Sequence, residues 1–342
     1  MCISYAGKEE MQMGKKNIYI LATGGTIAGR AASETATTGY QAGAIGVAEL
    51  LAAVPELKAF ANVRGEQIAA IDSKDMTSAI WLQLAKRCEE ILSQDDIDGI
   101  VITHGTDTME ETGYFLNLTV HSDKPVVLTG AMRPATAVSA DGPMNLLQAV
   151  RVAVADDAQG KGVLIVMNGT IVSAREAVKT HTTSLDTFKS PEIGDLGTVQ
   201  DGEPVFYRQP LRRHTRESQF DVKGVQELPR VSILYAHADD DGFLVRAVAE
   251  GGAKGIIYAG MGNGSIPERV EQELAQAVKQ GIIVVRSTRS SAGRVTRAEA
   301  SYEEHGFIGS DMLNPQKARV LLQLALLQTT DKEEICNIYH IY

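Results

Sequence analysis

The stretch Gly99–Leu118, GIVITHGTDTMEETGYFLNL, decides the fold class. Its first five residues, through Thr103, form a short apolar run rich in β-branched side chains, the pattern of a strand in the interior of a sheet. A polar turn follows, His104-Gly105-Thr106-Asp107-Thr108, and leads through Met109-Glu110-Glu111 into a helical pattern that continues to Leu118. Strand, polar turn and helix in that order make the first half of a βαβ unit, so the sheet is expected to be mainly parallel and covered by helices on both faces.

The same rhythm recurs on either side. Strands are expected at Asn17 to Ala22, Pro125 to Leu128 and Val163 to Met167, with helices at Val47 to Ala53, Ala79 to Leu92 and Pro143 to Ala155. Between Thr182 and Arg230 the pattern turns irregular, with Pro191, Pro204, Pro210 and Pro229, as hairpins followed by an inter-domain linker would be. Strands then resume at Val231 to Tyr235, Gly255 to Tyr258 and Ile282 to Val285, with helices at Pro267 to Lys279 and Pro315 to Leu327. The reading is a two-domain α/β chain, a larger N-terminal and a smaller C-terminal domain, each with a mainly parallel sheet flanked by helices. Its divisions are an extension over 1–16, a first domain over 17–219, a linker over 220–230 and a second domain over 231–342. A length of 342 residues, with 44% hydrophobic and 22% charged, accommodates two such cores.

Composition excludes several function classes. Lys and Arg total 33 against 43 Asp and Glu, a formal net charge of -10 without a dense basic block, so nucleic acid and anionic membranes are not expected partners. No apolar run approaches the ~20 residues that span a bilayer. The seven histidines lack paired spacing with acidic or thiol partners, and neither a metal nor an organic cofactor is implied. Cys2, Cys88 and Cys336 match no metal or redox spacing and read as thiols without catalytic duty. The first 16 residues carry Lys8, Glu9, Glu10, Lys15 and Lys16 and no apolar core of a secretory signal, which favours the cytoplasm, with the periplasm as the alternative if a leader has been removed.

Ligands of open α/β sheets bind beyond the carboxyl ends of strands, and three such ends are unusually polar. After the first strand comes Thr23-Gly24-Gly25-Thr26-Ile27-Ala28-Gly29, where paired glycines permit a tight turn and leave the Thr26 hydroxyl exposed. The spacing G-x-G-x-x-G is not matched, which sets a dinucleotide loop aside, while a plain structural turn stays open. In the His104–Thr108 turn, Thr106, Asp107 or Thr108 can cap the following helix, or an amide there can serve an oxyanion while Asp107 supplies a carboxylate. Lys179, in Lys179-Thr180-His181-Thr182-Thr183, is either a solvated charge or, beside Asp107 and a threonine, an aid to a weak alcohol nucleophile.

Thr23 to Gly29 and Ile102 to Glu111 resemble the two signature motifs of the bacterial asparaginase/glutaminase family. The likeness extends to Lys124–Pro134, Ser139–Pro143 and Leu313–Arg319, which look like the periplasmic, type II members. The resemblance implies an L-asparagine amidohydrolase, with L-glutamine as a secondary substrate, in which Thr26 attacks the side-chain amide and the acyl-enzyme is hydrolysed to aspartate and ammonia. It implies that Tyr40, on a flexible loop over about Thr23 to Ala44, closes on the nucleophile, and that Thr106, Asp107 and Lys179 form a second triad. Amides at Thr106 and around Gly25 would make the oxyanion hole. Gly25, Asp72, Ser73, Thr106 and Asp107 would contact substrate, with Ser73 on its carboxylate. Asn263 and Glu299 would reach in from a neighbouring subunit of a homotetramer built as a dimer of dimers.

Two departures from the family pattern stand out. Lys74 replaces a Gln or Glu that accepts from the substrate amine in many relatives, and a charged lysine has no acceptor. Ser122 replaces one cysteine of a bridge found in periplasmic members, and Cys88 is offset from the other. The competing readings are a non-catalytic amino-acid binding module and the amidase subunit of a transfer-RNA-dependent amidotransferase.

Overall fold

A computed structural model describes residues 14–35 and 39–342. Cys2, most of the expected N-terminal extension and three residues of the expected flexible loop lie outside the described residues. The chain runs β1 (Lys16–Gly24), α1 (Val47–Ala52), β2 (Ala61–Ile71), α2 (Ser78–Leu92), β3 (Gly99–Thr103), α3 (Met109–Thr119), β4 (Val126–Thr129), α4 (Gly142–Val154) and β5 (Val163–Met167). It continues through β6 (Thr170–Ser173), the short ribbon β7 (Val178–Lys179) and β8 (Phe188–Lys189), and the hairpin β9 (Gly197–Gln200) and β10 (Glu203–Phe206).

The first sheet has the order β10-β9-β6-β5-β4-β3-β1-β2. From β5 to β2 every pairing is parallel, while β6, β9 and β10 extend the sheet antiparallel. The central strands β3, β4 and β5 are buried along their whole length, as expected of strands with helices on both faces. Leu50 of α1 and Leu146, Ala149 and Val150 of α4 pack on one face, and α2 and α3 cover the other. The chain leaves β1 to lay β2 on one side of it, then crosses back to lay β3 on the other. That reversal is a topological switch point, where side-by-side strands send their loops apart and open a crevice.

Register places the loops together. Ala22 of β1 pairs with Thr103 of β3, and Gly24 pairs with Ile71 of β2, so the segments after β1, β2 and β3 emerge side by side. The Thr23 hydroxyl donates to the Thr103 carbonyl at 2.9 Å and ties the first to the third.

The second sheet is built from β11 (Val231–Tyr235), α5 (Phe243–Glu250), β12 (Gly255–Gly260), α6 (Glu268–Lys279), β13 (Ile283–Thr288), α7 (Ala300–Glu304), β14 (Ile308–Gly309), α8 (Pro315–Ala325) and α9 (Lys332–Ile341). Its order is β11-β12-β13-β14, all parallel. Helix α8 packs against α3 of the first unit and against β11 and β12 of its own, so one apolar core runs through both. The segment between the sheets is pinned to that core. Phe220 lies against the ring of Tyr342 with centroids 5.0 Å apart, and Leu228 is buried.

Candidate active site

Thr26 begins a short 3-10 turn, Thr26–Ala28, and its conformation depends on the glycine before it. Gly25 has φ 79° and ψ -172°, a region open essentially to glycine alone. A Cβ there would lie 2.3 Å from the Gly105 nitrogen, so the loops after β1 and β3 touch through two glycines. The Thr26 hydroxyl is buried and forms a 2.5 Å hydrogen bond with the Tyr40 hydroxyl. Tyr40 is returned to that point by an antiparallel bridge between Arg30 and Gln41 and by the Gly43 amide, which donates to the Gly25 carbonyl at 3.1 Å.

The loop after β3 carries the second group. The Lys179 ammonium donates to the Thr106 hydroxyl at 2.9 Å and to the Asp107 carboxylate at 2.5 Å. The Asp107 amide donates to the Ser73 hydroxyl at 3.2 Å, and the Thr108 hydroxyl donates to the Ser73 carbonyl at 2.8 Å. The capping role open to these residues is therefore not taken up. Helix α3 has no side-chain cap, because all three side chains are turned toward Ser73 or Lys179.

Lys179 does not come from the end of β5, as its position after that strand leads one to expect. It sits on β7, in the two-stranded ribbon with β8, where it pairs with Phe188. The chain crosses β6 first and then folds back over the carboxyl edge of the sheet. The Lys179 side chain is only 17% exposed against 56% for Asp107, which rules out a free solvated charge. An ion pair with so open a partner adds little stability; what it supplies is the placement of the amine.

His104, within the same motif, is wholly buried and faces away from these groups. Its Nδ1 lies 2.6 Å from the Gly105 carbonyl and its Nε2 2.9 Å from the Thr112 hydroxyl, which also accepts from Trp81 Nε1 at 2.8 Å. Burial outweighs the Gly105 hydrogen bond and drives the imidazole pKa down to about 4, so at neutral pH it is an uncharged structural group.

Thr26, Tyr40, Asp72, Ser73, Thr106, Asp107 and Lys179 all line one cavity of about 330 Å³. The structure adds Gly39, Met132, Thr182 and Thr183 to its wall. Thr182 and Thr183 belong to the polar run after Lys179 and Met132 to the stretch Lys124–Pro134, so their only sequence signal is proximity to those motifs. Gly25 does not line the cavity but shapes it, and its amide is taken by the Ile71 carbonyl at 2.8 Å. Lys74 is held outside by the Asp72 carboxylate at 2.6 Å and Asp75 at 3.8 Å.

Asn263 and Glu299 stand apart from this cavity, in the second unit. Asn263 and Thr296 bond reciprocally at 3.0 and 2.8 Å, and the Tyr302 hydroxyl donates to Glu299 at 3.2 Å. The buried Arg286 donates to the carbonyls of Asn263, Gly264 and Thr296. The two residues are thus parts of one ordered patch, although a single chain does not bring them to Thr26. Among the described residues no cluster of His, Cys, Asp and Glu could hold a metal ion, and no helix is long and apolar enough to cross a membrane.

Comparison with known proteins is consistent over nearly the whole chain. Residues 17–212 match the model of the asparaginase N-terminal domain, and residues 230–339 that of the glutaminase/asparaginase C-terminal domain. The chain is 53% identical over 326 residues to L-asparaginase 2 of Bacillus subtilis (strain 168), covering 95% of this chain and 86% of that protein. It is 46% identical over 328 residues to the glutaminase-asparaginase of Pseudomonas fluorescens biotype A, covering 95% and 90%. The crystal structure of a probable cytoplasmic L-asparaginase from Campylobacter jejuni superposes with a TM-score of 0.94 at 51% identity, over 96% of this chain and all of that one. With both domains matched in order and a cavity at the switch point lined by both signature motifs, the chain belongs to the asparaginase/glutaminase family.

Proposed function

We propose that the protein hydrolyses the side-chain amide of L-asparagine to L-aspartate and ammonia, with Thr26 as nucleophile. The observation that carries this reading is the pairing of two hydroxyl systems on one cavity: Thr26 on Tyr40, and Thr106 on Lys179 and Asp107. A threonine hydroxyl is a weak nucleophile and needs a group to take its proton. The Tyr40 hydroxyl, 2.5 Å away, accepts that proton as it gives up its own, and the proton handed on ends on the departing nitrogen. Attack forms a bond from Thr26 Oγ1 to the amide carbon, and collapse of the tetrahedral oxyanion breaks the carbon–nitrogen bond and releases ammonia. Water oriented by Thr106 then adds to the ester, and Thr26 Oγ1 leaves with a proton.

The Gly25 amide is occupied by Ile71, so the oxyanion is assigned to the amides of Thr26 and Thr106, which need no reorganisation as charge develops. Ser73 already accepts from the Asp107 amide, which leaves its hydroxyl proton for the substrate carboxylate. Asp107 gives one carboxylate oxygen to Lys179 and keeps acceptor capacity for the substrate ammonium. Asn263 and Glu299 are assigned to the same ammonium from a neighbouring subunit of a homotetramer built as a dimer of dimers. We place the protein in the cytoplasm, the compartment in the name of the Campylobacter protein, with the periplasm as the alternative that fractionation tests.

The test is ammonia release at neutral pH without added metal, asparagine and glutamine side by side, for the wild type and Thr26→Ala. Release from asparagine that drops by on the order of 10³-fold or more in the variant, with aspartate still bound, is the expected result. Comparable release from both amides makes glutamine a full substrate. Near-normal turnover by Thr26→Ala removes it as nucleophile, and no release by the wild type, with aspartate bound, makes the protein a binding module.

A further inference from the structure

We propose that Glu110 is a positioning residue for the Lys179 ammonium, and that it takes its own orientation from helix α8 of the C-terminal unit. Glu110, at the start of α3, is 4% exposed. One of its carboxylate oxygens accepts from the Lys179 backbone amide at 2.8 Å and the other from Asn314 Nδ2 at 2.9 Å. Asn314 caps α8, and its own oxygen accepts from the Lys317 amide at 3.0 Å. Lys317, wholly buried one turn on, donates its ammonium to the carbonyls of Arg175 and Ala177 at 2.9 and 2.6 Å. The segment leading into Lys179 is therefore held at three backbone points, two by Lys317 and one by Glu110.

Opposite an asparagine at position 314, the chemistry requires a carboxylate at position 110. It stands between two donors, and only an acceptor at both ends satisfies them. An amide in its place turns its NH2 toward a second donor, and rotating Asn314 to meet it points another NH2 at the Lys317 amide. The bonds thus converge on Glu110, from the cap of α8 on one side and from the strand of the catalytic amine on the other. Lys179 reaches Thr106 and Asp107 from a two-residue strand, so a shift of its backbone moves the amine directly. The inference rests on the reading of Lys179 as catalytic.

The experiment is a polarity swap. Glu110→Gln leaves donors facing donors, and Asn314→Asp sets carboxylate against carboxylate. The double variant restores every bond, because the introduced amide accepts from the Lys179 backbone and donates to the introduced carboxylate, which still accepts from the Lys317 amide. Each single variant is expected to lose about ten- to hundredfold in kcat, the scale of a 1 Å misplacement, with KM little changed because Ser73 and the substrate face of Asp107 are untouched. The double variant is expected to recover most of that loss, which general damage to packing would not allow. Singles with wild-type kcat, or a double no better than the worse single, overturn the proposal. If Glu110→Gln does not fold, Asn314→Asp against the double decides in the same way. Lys179→Met is measured alongside. If it keeps wild-type turnover, the catalytic reading of Lys179 fails and the proposal with it; if it is inactive while Glu110→Gln is unimpaired, the proposal alone fails.

Discussion

His104 lies two positions before Thr106 and serves the site by staying uncharged. Its ring nitrogens are spent on the Gly105 carbonyl and the Thr112 hydroxyl, so it braces the turn from behind while Thr106 and Asp107 face the cavity. Burial lowers its pKa from 6.5 to about 4. Below about pH 6.5 the unfolded chain therefore takes up a proton that the folded chain refuses, and stability falls until the folded imidazole itself titrates near pH 4. The shift corresponds to roughly 3 kcal/mol as an upper figure. Denaturant unfolding at pH 7, 5 and 4 is expected to show a smaller loss of stability in His104→Gln than in the wild type, and equal losses would show that this histidine is not the group responsible. Nothing in the sequence separates this histidine from a catalytic one. Thr108 shows the reverse case, since its residue type announces a helix cap and only the position of Ser73 draws its hydroxyl elsewhere.

At the scale of elements, the site depends on three loops meeting closely enough that no side chain fits between them. Gly25 meets Gly105, and a Cβ on Gly105 would lie 2.5 Å from the Ser73 hydroxyl. Gly25→Ala would impose both a disallowed backbone conformation, costing about 1–3 kcal/mol, and a clash with backbone that cannot swing away. The expected outcome is a lower unfolding temperature together with a large loss of kcat, read by thermal unfolding and ammonia release on the same preparation. A variant with full kcat would mean that the contact between the loops is not needed for turnover. The inner strands β3 and β5 were legible because burial on both faces leaves a continuous apolar run. Strand β2, which delivers Asp72 and Ser73, was not. As the edge of the sheet it is buried at Ala61 and otherwise partly or fully exposed, so in its sequence ANVRGEQIAAI only the last four residues form an apolar run, and the charged and glycine positions before them break the pattern. Helix α5 is no more legible: it is short, with Val245 as its one buried residue. Helix α9 buries Ile335, Ile338 and Tyr339, a helical spacing that the sequence carries beyond the last helix expected from it.

Across the whole molecule, the question is whether one chain holds a complete site. Asn263 and Glu299 are ordered by Arg286 and Tyr302 within the second unit and do not line the cavity of their own chain. If they complete a neighbour's site, subunits carrying Thr26→Ala and subunits carrying Glu299→Ala, each inactive alone, will regain activity when mixed under conditions that exchange subunits. No recovery despite demonstrated exchange would confine each site to one chain.

By itself the sequence determined the alternation of buried strands and helices, and with it the parallel two-sheet fold and the polar strand ends, because apolar periodicity and glycine pairs are local properties of the chain. It also carried, through likeness to a family, the residues Thr26, Thr106, Asp107 and Lys179. What only the tertiary structure decided is how these residues are held. That Lys179 approaches from a two-residue ribbon, that a glutamate and the cap of a distant helix fix its backbone, and that His104 turns away are consequences of contacts between segments far apart in the chain. Such contacts follow from strand order and the direction of hydrogen bonds, which no stretch of sequence encodes alone.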